Sequence, residues 1–357
     1  MMFFKQKPIA AAVSESVNVE HDGLMEAIHE SMCDYEYEIA GKLPVAMSNV
    51  YEMYICDTTK TEDQKLALME GVMADAWEKI KAFFKKIAEK LKSWWNSAVK
   101  YFQTIFSSNK KFLEKFKDEI TGKDTAKFKF TGYTYEGHAK LNDVEKTVQG
   151  WIGSAKSNFQ ALSNLDSTKY DEYKDKCKKA KADMDSAAMK FAKEGGDSKS
   201  GNVSKFKAGI IKTVRGGSEK KEIVGFKKGL SLNEMISMME SGGDKIDNLK
   251  ELATSVSDAA DEYADLVDTA KSKLDKSLSG TEKSHASSII SAAADVAKYS
   301  LSYGTAACDA AKSLTSEIIS HSSSVCRSLA RFTPAKESYG PQIGNKTSLL
   351  EAFSAGF

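Results

Sequence analysis

The sequence predicts a mainly α-helical protein with a small central β element (α+β), built as a helical bundle with a long C-terminal helix. Three observations predict this class. The 4 prolines are confined to the ends of the chain, so residues 45–333 can run as uninterrupted helices. Apolar residues recur every three or four positions over long stretches, whereas few short stretches alternate. The 41% hydrophobic content of the 357 residues is enough for a substantial core.

The strongest helical pattern spans residues 72–106. Lysines outnumber acidic residues in this stretch, and one face of the predicted helix is apolar and aromatic. A helix of this composition needs either a large apolar surface or an anionic one. The apolar face consists of Met73, Trp77, Ile80, Phe84, Ile87, Leu91, Trp94, Ala98, Phe102 and Ile105.

Three interpretations of this helix remain open. It can be the central core helix of a bundle, with its lysines facing water. It can bind the surface of an anionic membrane, or its lysines can contact packaged nucleic acid without reading the base sequence. The candidate residues for membrane or partner contact are Trp77, Phe84, Trp94, Trp95, Lys81, Lys85, Lys86 and Lys92.

Charge is segregated along the chain, although it cancels to a net +1. Residues 14–75 contain fourteen acidic residues and three lysines, whereas residues 76–129 contain fourteen lysines and six acidic residues. Blocks of opposite sign attract, so the acidic block can fold back over the basic helix; alternatively, both are solvated helix faces. The predicted organisation is an acidic helical segment 1–75, a basic amphipathic segment 76–122, an α+β module 123–230, a helical, coiled-coil-like region 231–332 and a flexible tail 333–357.

The other helices are predicted from periodicity and capping. Thr61 and Gln64 form a predicted capping box at the start of the third helix. The last helix has an Ala/Ser-rich stripe that permits close packing, and Gly304 is a candidate break in it. Besides the 72–106 helix, the predicted helices are 23–39, 45–55, 60–74, 109–120, 141–162, 167–194, 232–239, 244–278 and 284–332.

Alternating polar and apolar residues predict strands in the middle of the chain. The first lies at 127–135, and two more lie at 210–214 and 222–226. The latter two flank a glycine-containing segment, Arg215 to Glu219, and are predicted to pair as a β-hairpin. Helices would cover this short sheet.

Composition excludes several classes of protein. The near-zero net charge and the presence of only three arginines (Arg215, Arg327 and Arg331) argue against a strongly basic nucleic-acid-binding protein. The five cysteines are far apart and lack the spacing of a zinc or redox motif, which favours reduced structural thiols. No apolar stretch predicts a signal peptide or a transmembrane span, so we expect synthesis and folding in a cytoplasm.

No motif for bond-making chemistry is found in the sequence. A phosphate-binding glycine loop, a zinc-binding helix motif, a nucleophile elbow and an EF-hand loop are all missing. His321 is either a buried pH-sensitive group or a partly exposed residue at a helix edge. Asp258, Asp261, Glu262, Asp265 and Asp268 share a helix face that we expect to be solvated. We therefore expect no catalytic residues, metal, cofactor or small-molecule substrate.

Three stretches of the first 140 residues share a pattern with a known family. They are the opening Met-Phe-Phe-Lys with its short Val/Ser/Glu segment, the helix Trp-Glu-Lys-Ile-Lys-Ala-Phe-Phe-Lys-Lys-Ile, and Lys-Phe-Lys-Phe-Thr-Gly-Tyr-Thr-Tyr. This pattern resembles virion structural proteins of tailed bacteriophages, of the kind described as internal head or internal virion proteins. The resemblance implies a non-enzymatic protein that is made in the host cytoplasm, is located in the virion, and contacts copies of itself or other virion proteins.

The resemblance also implies that the chain is sometimes trimmed by a head-maturation protease. Some of these proteases cut after a Leu-x-Glu pattern, and Glu26, Glu70 and Glu351 each end such a triplet and precede Ala or Gly. The expected function is a structural component of a bacteriophage particle, internal to the head and assembled through helix packing. The alternative is a membrane-active protein that applies helix 72–106 to anionic lipid.

Overall fold

The computed structural model describes residues 28, 31–32, 61–162, 165, 167–192, 202–277 and 282–332. Residues 28, 31 and 32 are helical, and the rest of the predicted helices 23–39 and 45–55 lies outside the described residues, as does the tail 333–357. The described residues confirm a mainly α fold with a small sheet. Their helices are α1 Glu62–Thr121, α2 Leu141–Leu162, α3 Tyr170–Ala192, α4 Asn202–Arg215, α5 Leu232–Ser241, α6 Asp244–Ser277 and α7 Glu282–Arg331, and their strands are β1 Lys129–Gly132 and β2 Lys221–Val224.

Helix α1 is one continuous helix of 60 residues, about 90 Å long. The prediction of separate helices at 60–74, 72–106 and 109–120 was wrong, because the buried apolar stripe continues beyond 106 to Leu113 and Ile120. The predicted capping box is confirmed, with Gln64 N–H donating to Thr61 Oγ1 at 3.3 Å and Thr61 N–H donating to Gln64 Oε1 at 3.1 Å. The helix also continues without a break through residues 75 and 76, where the sequence predicted the boundary between the acidic and the basic segment.

Helix α7 lies at the centre of the described bundle and contacts each of the helices α1 to α6. Its predicted Ala/Ser-rich stripe is buried over most of its length. Gly304 does not break the helix. A Cβ atom at that position would come within 2.8 Å of Val256 Cγ2 on α6, so glycine is needed here for the close approach of the two helices.

Most other helix boundaries agree with the predictions. Helix α2 has the predicted ends, and a 3₁₀ turn, Ser167–Lys169, precedes α3. Helix α5 begins at a capping box formed by Ser231 and Glu234 and ends at Gly242, whose φ of 76° lies in the left-handed region that glycine tolerates. The predicted helix 244–278 corresponds to α6.

The sheet consists of β1 and β2 in antiparallel pairing. Lys129 pairs with Val224 and Gly132 pairs with Lys221. Phe130 and Ile223, which are paired with each other, have intermediate and buried side chains, whereas Lys129 and Val224 are exposed. The sheet therefore has one face on the helices and one face in solvent.

The predicted hairpin between 210–214 and 222–226 was wrong. Residues 210–214 belong to α4, where Phe206, Ile210 and Val214 are buried at a spacing of four residues. That spacing places them on one helix face, so burial overrides the strand preference of the short β-branched run. Strand β2 instead pairs with β1, about ninety residues earlier in the chain.

Three of the five cysteines lie within the described residues. Cys177, Cys308 and Cys326 are free and buried, which agrees with the predicted structural thiols. Burial raises the pKa of the Cys326 thiol to about 12. None of the described helices is long and apolar enough to cross a membrane.

Candidate functional site

The aromatic candidates on α1 form part of the bundle core. Trp77 is 2% exposed, Phe84 0% and Trp94 5%, while Trp95 is partly buried. The Phe84 ring packs against Phe159 of α2 and Tyr263 of α6, at centroid distances of 6.2 and 5.5 Å. These side chains can meet a membrane or another protein only if α1 leaves the bundle.

The lysine candidates on α1 fall into two groups. Lys81 donates to Asp268 at 2.5 Å and Lys92 donates to Asp261 at 2.6 Å, so both bridge α1 to α6. The hydrogen bond to Asp268 raises the pKa of Lys81. Lys85 and Lys86 are exposed. The ion pairs neutralise part of the positive face of α1.

The acidic face of α6 supplies these partners. The five carboxylates were expected to face only water, but Asp261 and Asp268 bind lysines of α1, and Glu262 binds Lys156 of α2. Residues 62–75 of the acidic block belong to α1 itself, and of the part that precedes α1 only residues 28, 31, 32 and 61 are described. Among these, Ser31 accepts a hydrogen bond from Lys90 Nζ at 2.8 Å. The rest of that prediction lies outside the described residues.

The candidate processing residues are mostly outside the described part of the chain. Glu26 and Glu351 are not described, whereas Glu70 lies within the first turns of α1. Gly71, which follows Glu70, is exposed. Cleavage between them would require local unwinding of the start of α1.

A cluster that sequence reasoning did not identify joins the sheet region to α7. The Tyr135 hydroxyl donates to Glu317 Oε1 at 2.9 Å, and Arg215 binds the same carboxylate through Nε and Nη2, at 3.0 and 2.5 Å. The Arg215 guanidinium also lies 4.6 Å from the centroid of the Tyr133 ring. Planar two-point binding of a carboxylate is the geometry that arginine favours over lysine.

Tyr135 has an unusual backbone conformation. Its φ of 55° lies in the left-handed region, which aromatic residues rarely adopt. Its N–H donates to the Arg215 carbonyl at 3.2 Å, and its own carbonyl accepts from His138 N–H at 3.0 Å. The strain is therefore held by hydrogen bonds on both sides of the residue.

His321 lies on α7 beneath β1. Its ring packs against Phe130 and Tyr135, with centroid distances of 5.7 and 5.4 Å, and a Cβ at Gly132 would overlap it. Nε2 is buried and has no hydrogen-bond partner among the described residues. Burial lowers the pKa of His321, nearby Lys220 adds to this effect, and Glu317 opposes it. The structure combines the two open interpretations, because the side chain as a whole is partly buried while its Nε2 atom is shielded from solvent.

Tyr135, Arg215 and Glu317 satisfy one another's hydrogen-bonding groups. Burial and then the Glu317 carboxylate raise the pKa of the Tyr135 hydroxyl, so it remains a protonated donor. Arg215 and Glu317 neutralise each other. The adjoining cavity of about 330 Å³ is open to solvent and lined by polar side chains and glycine-containing turns. The arrangement can clamp the sheet to α7, and its geometry assigns no nucleophile or general base.

In the part of the chain that the structure describes, no group of three or more histidine, cysteine, aspartate or glutamate side chains is arranged to hold a metal ion. Comparison of the chain with protein-family models, with curated proteins and with solved structures finds no match.

The shielding of the His321 ring against Phe130 and Tyr135 predicts a pH dependence of stability. Because its pKa in the folded state lies below its ordinary value of 6.5, the unfolded chain binds more protons as the pH falls through this range. We expect the free energy of unfolding to decrease below about pH 6.5. The variant His321→Phe keeps an aromatic ring against Phe130 and Tyr135. It should remove the part of the pH dependence of the free energy of unfolding that His321 causes.

The measurement is urea unfolding of both proteins between pH 7.5 and 5. Circular dichroism at pH 7.5 serves as the control for the fold of the variant. Equal slopes in the two proteins would show that His321 does not carry the effect.

Proposed function

We propose that this chain is a non-enzymatic structural component of a tailed-bacteriophage particle, located inside the head and held there by helix packing to copies of itself or to other virion proteins. The resemblance of the first 140 residues to internal head proteins supports this proposal. The observation that carries it is that polar side chains of the described bundle bind one another between separate elements of secondary structure. The hydrogen bonds and ion pairs around Glu317, Asp261 and Asp268 join one element to another.

The length and the polar surface of helix α1 are suited to contact with neighbouring subunits. Helix α1 is about 90 Å long, and α6 and α7 pack along it. Its outward face is polar over most of its length, with Phe116 as an exposed large apolar residue at 37%. A long, rigid, polar rod can contact neighbouring subunits without exposing a large apolar patch.

The membrane-active alternative is less well supported by the geometry. Trp77, Phe84 and Trp94 would have to leave the core to reach lipid. Each large apolar side chain contributes about 1.5–3 kcal/mol by its burial, so detaching α1 has a substantial free-energy cost. The bundle is therefore the expected resting state of the protein.

The proposed function is tested on purified particles from the source of the chain. We expect peptide mass spectrometry to find the protein in gradient-purified, DNA-filled particles. An N-terminus at Gly71 would place the processing site after Glu70. The matched control is the particle-free fraction of the same lysate, and recovery only from that fraction or from host membranes would contradict the proposal.

A further inference from the structure

We propose that the sheet end of the molecule binds duplex DNA through the phosphate backbone, without reading base sequence. The surface concerned, here called the basic end, is defined by six lysines on β1, β2 and their flanking turns. Its members are Lys127, Lys129, Lys220, Lys221, Lys227 and Lys228, and all six are exposed.

Positive charge is in excess at this end of the molecule. Residues 123–137 and 215–230 contain eight lysines and arginines and four acidic residues. The described ion pairs engage Lys123 with Glu119, Lys129 with Glu222 and Arg215 with Glu317. Among the residues that the structure describes, no ion pair engages Lys220, Lys221, Lys227 or Lys228, and all four side chains are exposed.

Helix α1 has more lysines, but they are spread along a helix about 90 Å long, and several of them are paired. Lys81 and Lys92 are paired with carboxylates of α6, and Lys117 binds Glu240 of α5 at 2.7 Å. These pairs reduce the attraction of α1 for an anion. The structure thus moves the expected nucleic-acid contact from the basic helix to the basic end.

Aromatic packing and a backbone hydrogen bond hold the part of the sheet that carries the lysines of the basic end. The Phe226 ring packs against Phe128 and Phe130, with centroid distances of 6.1 and 5.6 Å, immediately before Lys227 and Lys228. Gly225 N–H donates to the Phe128 carbonyl at 2.8 Å, which fixes the end of β2. Holding the turn in place lowers the entropy lost when its lysines bind a phosphate chain.

Duplex DNA fits this surface better than lipid does. Interfacial membrane binding requires large apolar side chains that insert beside the lysines. The exposed large apolar residue of the sheet is Val224, at 47%. Lysine acts as a point charge for phosphate and lacks the fork geometry of arginine, which suits contact that is independent of base sequence.

This inference rests on the proposed function, because packaged DNA is the polyanion that fills a phage head. The two are nevertheless tested separately. DNA binding is measured with the purified full-length chain, whereas the virion role is measured on particles. Failure of the first leaves the virion role intact, and absence from particles leaves the measured DNA affinity intact.

The test compares two variants that remove equal charge. The first replaces Lys220, Lys221, Lys227 and Lys228 by glutamine. The matched control replaces Lys85, Lys100, Lys110 and Lys111, four exposed lysines of α1, by glutamine. Fluorescence anisotropy with a mixed-sequence duplex of about 30 base pairs gives the dissociation constant over a series of salt concentrations. Circular dichroism and thermal unfolding confirm that both variants fold.

We expect the basic-end variant to bind DNA at least about tenfold more weakly at about 0.1 M salt. The magnitude of the negative slope of log K against log salt should decrease by about 3 to 4. The control variant should stay within about threefold of the unmodified chain, since charges more than ~10 Å from the DNA are screened at this salt. Equal losses in both variants, no binding at low salt, or tighter binding to anionic phospholipid vesicles than to DNA would each overturn the inference.

Discussion

Replacing Phe84 by alanine is expected to lower the free energy of unfolding by about 3 to 5 kcal/mol. Phe84 is fully buried, and its ring contacts Phe159 and Tyr263 on two other helices. Truncation leaves a cavity where α1, α2 and α6 meet, which the rigid helices can close only in part. Urea unfolding followed by circular dichroism measures the loss.

The matched control is Phe116→Ala on the same helix. Phe116 is 37% exposed, so its truncation should cost no more than about 1 kcal/mol. The comparison separates core packing from the helix propensity of phenylalanine, because both substitutions replace the same residue type in α1. Equal losses for the two variants would contradict the assignment of Phe84 to the core.

Replacing Gly229 by alanine is expected to lower the free energy of unfolding by about 3 kcal/mol or more. The φ of Gly229, 76°, lies in the left-handed region, which costs alanine about 1–2 kcal/mol. An added Cβ would also overlap the backbone carbonyl oxygen of Thr134. Backbone cannot swing aside as a flexible side chain can, so the turn after β2 must move away from the segment that leads to Tyr135.

Gly153→Ala provides a control that is expected to raise the stability of the protein instead of lowering it. Gly153 lies within α2, is exposed, and a Cβ there would meet nothing within 4 Å. Alanine is favoured over glycine in a helix interior by up to about 1 kcal/mol, so this variant should be more stable than the unmodified chain. Thermal unfolding of the two variants should shift in opposite directions. A Gly229→Ala variant as stable as the unmodified chain would refute the close approach.

Local patterns predicted most of the helical residues because the information lies within each helix. The apolar stripe of α1 indicated its apolar face, although not what covers that face, and Thr61 with Gln64 indicated where the helix begins. The ends of α2 were also predictable, because apolar periodicity begins and stops there. Such patterns depend on residues three or four apart, which a single sequence contains.

The pairings between distant segments could not be predicted in this way. The run 210–214 is compatible with a strand, and only its burial against other helices makes it part of α4. The partner of β2 is about ninety residues away, so nothing local specifies it. Likewise, the clamp of Tyr135, Arg215 and Glu317 comes from three separate elements. Arg215 is one of only three arginines in the sequence, a rarity that was used only as an argument against nucleic-acid recognition.

The apolar face of α1 lies in the core of the bundle, and we infer that contacts with other molecules come from other surfaces. Hydrogen exchange of the full-length chain, followed by mass spectrometry without lipid or DNA, tests it most directly. We expect peptides covering residues 80–102 to exchange as slowly as those covering 252–270 of α6, and more slowly than those covering 221–229. Rapid exchange of 80–102 would mean that α1 leaves the bundle readily, and would contradict the claim.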